Sequence, residues 1–166
     1  MDAIEAIKKR RSIRNYKDRP IPKDMLQELV DAARFAPTAR GVQAWEFIII
    51  TDPETLKKLG GLIENARFIS FAKACIAVFS GDTKYYLEDG CAATENILIA
   101  ATALGIGSCW AAGDKKPYCG EVAGLLSVPD SLKLVSLIAL GYPEDKSSPA
   151  VTKKRDLGAL THWEKF

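Results

Sequence analysis

The chain has 166 residues, 48% hydrophobic and 27% charged, with a formal net charge of +2, as expected for one globular domain with a substantial core. A balance so close to neutral excludes the broad basic face of a nucleic-acid binder, so any positive patch is local and suited to a small anion. Charge recurs from Asp2 through Arg14 with no apolar h-region after it, so no signal peptide is expected, and the uncharged run Asn96–Gly113, with its Asn, Thr, Ser and Gly, is expected to be a buried helix and strand rather than a membrane span; the expectation is a cytoplasmic protein.

In chain order, Asp2 is placed to cap a first helix whose Ile4 and Ile7 share a face and which ends near a basic run. A second helix opens after Pro22 and Lys23 with the apolar stripe Met25, Leu26, Leu29, Val30 and Ala33, stops at Pro37, and passes into an irregular loop, APTARGVQAW. WEFIIIT, Trp45–Thr51, reads as a buried strand. Asp52 and Pro53 begin a short helix that Gly60-Gly61 is expected to end. KACIAVFS is a second strand, Tyr85 to Leu104 a long Ala-rich helix stopped by Gly105, GIGSCWAA a third strand, Lys116–Leu126 a helical stretch, and LKLVSLIALG a fourth strand. This order predicts a single α/β or α+β domain over residues 1–166 with a four-stranded sheet. From Pro143 onward the chain is polar and lacks periodicity until the closing HWEKF.

Several chemistries are excluded. Cys75, Cys91, Cys109 and Cys119 form no CxxC pair, and with His162 the only histidine there is no zinc pattern; all four read as reduced thiols. No GxSxG elbow or P-loop is present, and the bare Gly105-Ile106-Gly107 lacks the third glycine of a dinucleotide fingerprint. What stands out is KKRRSIRNYKD, six basic residues between Lys8 and Lys17 around Ser12, with a second basic group at Lys153, Lys154 and Arg155. Guanidinium forks and a short hydroxyl suit a phosphate monoester; two solvated charge runs are the alternative.

Four segments, read together, settle that choice. RRSIRNY, APTARGVQAWEFIII, EDGCAATENILIAATALGIGSCW and LGYPEDKSSPAVTKKRDL strongly resemble, in family order and over almost the whole chain, the signatures of the FMN-dependent nitroreductase family. The resemblance implies an α+β nitroreductase-like fold. A mixed or antiparallel sheet of about four strands would be flanked by helices, with residues 143–166 forming an extension that reaches a partner subunit and adds a possible strand to it. It implies a homodimer with FMN in the subunit interface, and NADH or NADPH as electron donor. Arg10, Arg11, Ser12 and Arg14 would come from one subunit, with Arg10 and Ser12 joining Lys153 and Arg155 on the phosphate and Arg14 near flavin N1 and C2=O. Pro37, Thr38, Ala39 and Gln43 of the other subunit would touch the ring or ribityl chain, and Cys109, Trp110, Ala111, Ala112 and Gly113 would line the flavin face beside N5. Arg40 or Gly41 stands where the family has Asn, and Ala44 where it has Pro; Asn65 and Arg67 are loose candidates for a further ring contact.

The reaction so implied is a two-step exchange from NAD(P)H through the flavin to a small-molecule acceptor, a nitroaromatic or quinone. Reductive dehalogenation, alkene reduction, a flavin-binding or redox-sensing module and a cofactor-free dimer stay open beside it. Ala92, Ala93, Ala100, Ala101 and Ala103 give the central helix a low-profile surface, fit either for a partner helix or for packing within one subunit. Tyr16 is expected to pack rather than bind.

Overall fold

The computed structural model describes residues 1–144 and 152–166. Its core is a four-stranded sheet of β1 (Trp45–Ile50), β2 (Ala74–Gly81), β3 (Gly107–Ala112) and β4 (Leu132–Gly141), in the order β1-β2-β4-β3. All three pairings are antiparallel, so the α+β reading holds. The last strand in sequence is thereby inserted between the second and third, which places β1 and β3 at opposite edges.

Five α-helices cover the two faces: α1 (Ala3–Lys9), α2 (Lys23–Arg34), α3 (Pro53–Leu62), α4 (Tyr86–Ala103) and α5 (Cys119–Leu125). Because side chains alternate along a strand, Ile76, Val78, Ile138 and Leu140 join α2 and α4 on one side through Leu26, Leu29 and Ile97. Cys75, Ala77, Phe79 and Leu137 join α3 and α5 on the other through Leu56, Leu59 and Val122. Asp2 and Asp52 cap α1 and α3, accepting from the backbone N–H groups of Glu5 at 2.9 Å and Thr55 at 2.8 Å.

Two expectations are corrected. Gly60-Gly61 does not end α3, which runs through both to Leu62. A Cβ on Gly60 would lie 2.6 Å from the Ser70 backbone nitrogen, so this glycine serves the close approach of a 3₁₀ segment, Glu64–Phe71, that the expected order of elements omitted. Of the α4 alanines, Ala93 and Ala101 are fully buried, Ala92 and Ala100 are partly buried against the same cluster, and Ala103 is exposed. On α1, Ala6 faces inward while Ile4 and Ile7 are 61% and 49% exposed.

All four cysteines are free thiols. Burial pushes Cys75 up to about 12 from its ordinary 9.0. The stability gained by burying this neutral thiol is complete below pH 9 and declines as pH rises toward 12, because the unfolded chain releases the proton first. Urea titrations at pH 8 and pH 10.5 should show a drop on the order of 2 kcal/mol that Cys75→Ala lacks; equal drops in both proteins would remove Cys75 as the cause.

Candidate functional site

The site is built on the free edge of β3. Ser12 forms a parallel bridge to Ser108, and the Ile13 N–H donates to the Ser108 carbonyl at 2.9 Å. On the other side, the Gly113 N–H donates to the Val135 carbonyl at 2.9 Å. Backbone groups in an antiparallel ladder alternate between facing the partner strand and facing away. The Ser108 carbonyl faces outward, so the N–H and C=O groups of Trp110 and Ala112 do too, and Cys109, Ala111 and Gly113 face β4. The Tyr118 hydroxyl donates to the outward Ala112 carbonyl, and the Cys119 thiol to the Gly113 carbonyl at 2.5 Å. Two outward backbone N–H groups, on Trp110 and Ala112, therefore remain at an edge that no further strand covers among the described residues.

The basic run lies against this edge. Arg14 reaches across Phe68, its guanidinium 5.5 Å from the ring centroid. It lines a cavity of about 610 Å³ together with Asn65, Trp110, Ala111, Ala112 and Tyr118, a volume in the range of cofactor pockets. Burial raises the Cys109 thiol, while Arg14, a hydrogen bond with Ser12 and the charge of Arg10 pull it the other way. Arg10 is half-buried, with its Nε 4.0 Å from Glu95. Arg11 is turned back onto its own helix, donating to the carbonyls of Lys8 and Arg10 at 2.7 and 2.8 Å. Tyr16 packs, as expected: it is buried, its hydroxyl donates to the Ile13 carbonyl at 2.6 Å, and burial raises its pKa. A second cavity, of about 750 Å³, lies beyond Arg14 among Asp18, Lys73 and Glu144.

Pro37, Thr38, Ala39 and Gln43 sit elsewhere, in the loop entering β1. With β2 and β4 between them, β1 and β3 are about 14 Å apart at one strand spacing per step. The loop is held by a residue absent from the expected set: Asp89, buried in the first turn of α4. Its Oδ2 accepts from Thr38 Oγ1 at 2.8 Å, both its oxygens accept from the Ala39 N–H, and Thr38 Oγ1 accepts from the Gln43 N–H at 3.1 Å. The signal for Asp89 was present in EDGCAAT, a carboxylate just ahead of an uncharged run, but helix N-termini favour acids in any case.

Lys153 and Arg155 are exposed, as is every residue from 152 to 166. Arg155 donates to the Ala159 carbonyl at 3.1 Å, and the described contacts do not join either residue to Arg10 or Ser12. Residues 145–151, which lead into them and form part of the expected extension, lie outside the described residues. His162 stacks on Phe166, ring centroids 4.1 Å apart. Among the described residues, no group of His, Cys, Asp and Glu could hold a metal ion, and no helix is long and apolar enough to cross a membrane.

Comparison with known proteins bears on the family and the fold. The model of the Nitroreductase family matches residues 7–74 and 80–142. A protein of Archaeoglobus fulgidus provisionally named NADH dehydrogenase/NAD(P)H nitroreductase is 36% identical over 152 residues, covering 87% of each chain. The solved FMN-dependent nitroreductase of Clostridium difficile superposes with a TM-score of 0.90 at 29% identity, covering 98% of this chain and 99% of that one. A provisionally assigned nitroreductase of Desulfovibrio desulfuricans, solved in complex with FMN, superposes at 0.83 with 26% identity over 100% and 98% of the two chains.

Proposed function

This chain belongs to the nitroreductase family, and on that premise we propose that it is an NAD(P)H-dependent FMN oxidoreductase that reduces a small organic acceptor, a nitroaromatic or quinone, in two successive half-reactions. The observation that carries the reading is the convergence of Arg14, the outward N–H groups of Trp110 and Ala112, and a cavity of about 610 Å³ on one strand edge.

These residues fit FMN chemically. Bound FMN supplies a two-electron centre that takes hydride from a nicotinamide and returns it to an acceptor. Arg14 would offer its guanidinium to the negative charge that a reduced ring would carry. The backbone donors of Trp110 and Ala112 are fixed by the β3–β4 ladder and so need no reorganisation as charge develops. Phe68 and Tyr118 give the cavity aromatic walls. Arg10 and Ser12 stand at the bridge to β3 as donors for the phosphate, with Lys153 and Arg155 as further cations from the tail. Arg11, already bonded to Lys8 and Arg10, has the least capacity left for cofactor.

The active form in this reading is a homodimer. Within one chain the loop at β1 and the residues beside β3 lie at opposite sheet edges; a two-fold partner brings the loop of one copy to the strand of the other. The exposed Ile4 and Ile7 on α1, and Leu157, Leu160 and Trp163 in the tail, are the apolar groups such a partner would cover.

Anaerobic titration of the FMN-loaded protein tests the proposal. NADH or NADPH should bleach the flavin absorbance, and a nitroaromatic or quinone should restore it. A loaded protein that stays oxidised with both nicotinamides would instead be a flavin-binding module.

A further inference from the structure

Asp89 raises a question that the proposed chemistry does not answer. A carboxylate withdrawn from water needs compensation, and in the first turn of α4 the backbone of its own helix could supply it. Its described hydrogen bonds instead cross fifty residues of sequence to Thr38 and Ala39. Thr38 Oγ1 then passes the link on, donating to Asp89 and accepting from the Gln43 N–H.

The loop held in this way is mostly exposed. Pro37 and residues 40–43 are exposed, and Thr38 and Ala39 are only half-buried. It is also conformationally costly: Arg40, Gly41 and Gln43 have φ of 59°, 67° and 51°, and the two non-glycine residues among them persist in the left-handed region only where their surroundings over-determine it. A buried carboxylate committed to shaping an exposed, strained loop points away from core stability and toward what the loop touches.

We propose that Asp89, acting through Thr38, is a positioning residue that sets the 37–43 loop and the exposed Gln43 against the flavin bound by the partner copy. The inference rests on the FMN reading above, in which the loop of one chain serves the cofactor held by the β3 edge of the other, and adds to it the residue that holds that loop in place. Thr38 then contributes to binding mainly as the link between Asp89 and Gln43.

The test compares Thr38→Val, which removes the hydroxyl at nearly constant shape, with Thr38→Ser, which keeps it, and with Asp89→Asn. FMN affinity is read by quenching of flavin fluorescence, and the melting of the flavin-free proteins is read beside it. Thr38→Val and Asp89→Asn should weaken FMN about tenfold or more, and Thr38→Ser by no more than about twofold, with flavin-free Thr38→Val remaining cooperatively folded and melting only a few degrees below wild type, as the loss of one bond to a buried carboxylate requires. Tight FMN binding by Thr38→Val, or equal weakening by Val and Ser, overturns the latch.

Direction is tested by co-expressing an Asp89→Asn chain with an Arg10→Ala/Ser12→Ala chain under different tags. Purified mixed dimers should hold one tightly bound flavin per two chains, because one of their two sites is assembled wholly from intact halves. Mixed dimers as flavin-poor as both parents overturn the action across subunits. A wild-type chain that takes up no FMN overturns the functional reading and this inference together, whereas tight wild-type binding beside an unaffected Thr38→Val overturns the inference alone.

Discussion

Arg14→Gln is expected to slow reduction of the bound flavin by the nicotinamide on the order of a hundredfold, while leaving the fold and most of the FMN affinity intact. Glutamine keeps a polar side chain in the cavity but removes the charge. The lost term is the attraction between the guanidinium and the negative charge on the reduced ring, about 2–3 kcal/mol for a charge-assisted contact in a partly enclosed site. The same change makes the two-electron potential more negative by roughly 50 mV. Stopped-flow reduction followed at the flavin absorbance, with a potential measured against a reference dye, checks both. A variant whose rate and potential match wild type would place Arg14 away from the ring.

The second large effect is expected at Gly113, one residue beyond β3. A Cβ there would lie 2.6 Å from Leu134 Cγ and 2.9 Å from both the carbonyl carbon and oxygen of Val135. Backbone atoms cannot rotate aside, so Gly113→Ala has to open the end of the β3–β4 ladder, at a cost of about 1–3 kcal/mol for an overpacked site. Opening that end also moves the Ala112 N–H, and the variant should therefore bind FMN more weakly than its stability loss alone explains. Urea unfolding of the flavin-free protein and an FMN titration separate the two. Gly124→Ala in α5 is the control: nothing lies within 4 Å of its new Cβ, and helix propensity makes it neutral or stabilising by about 0.5–1 kcal/mol.

The strands were legible because they announce themselves by composition: IIII-like runs such as WEFIII and ACIAVFSG are apolar, β-branched and bounded by turn residues. The long α4 was legible as an Ala-rich run ended by Gly105. What the sequence did not carry was spatial order. Nothing in LKLVSLIALG says that β4 slides between β2 and β3, and that insertion is what puts the two groups of expected site residues at opposite edges. Gly60-Gly61 misled because a glycine required by close approach and one required to end a helix look identical in sequence. ENARFISF was missed because its short 3₁₀ turns have no period to detect. Ile4 and Ile7 were read as sharing a face, and both are exposed among the described residues.

The candidate site divides in the same way. The Trp110–Ala112 segment was recognisable in the sequence, yet the parity that turns the backbone groups of Trp110 and Ala112 outward and those of their neighbours inward exists only once the ladder register is known. Arg10, Ser12 and Arg14 were visible as an excess of charge on a near-neutral chain. Asp89 was not, since its role is defined by partners fifty residues away.

The central claim is that two copies of this chain enclose FMN between them, each contributing the β3 edge to one flavin and the 37–43 loop to the other. Sedimentation velocity of the FMN-loaded protein, recorded simultaneously at the protein and flavin absorbance bands, tests it most directly. The account predicts a single boundary at the size of two chains carrying one flavin per chain. Flavin sedimenting with a one-chain particle, or not sedimenting with the protein at all, would contradict it.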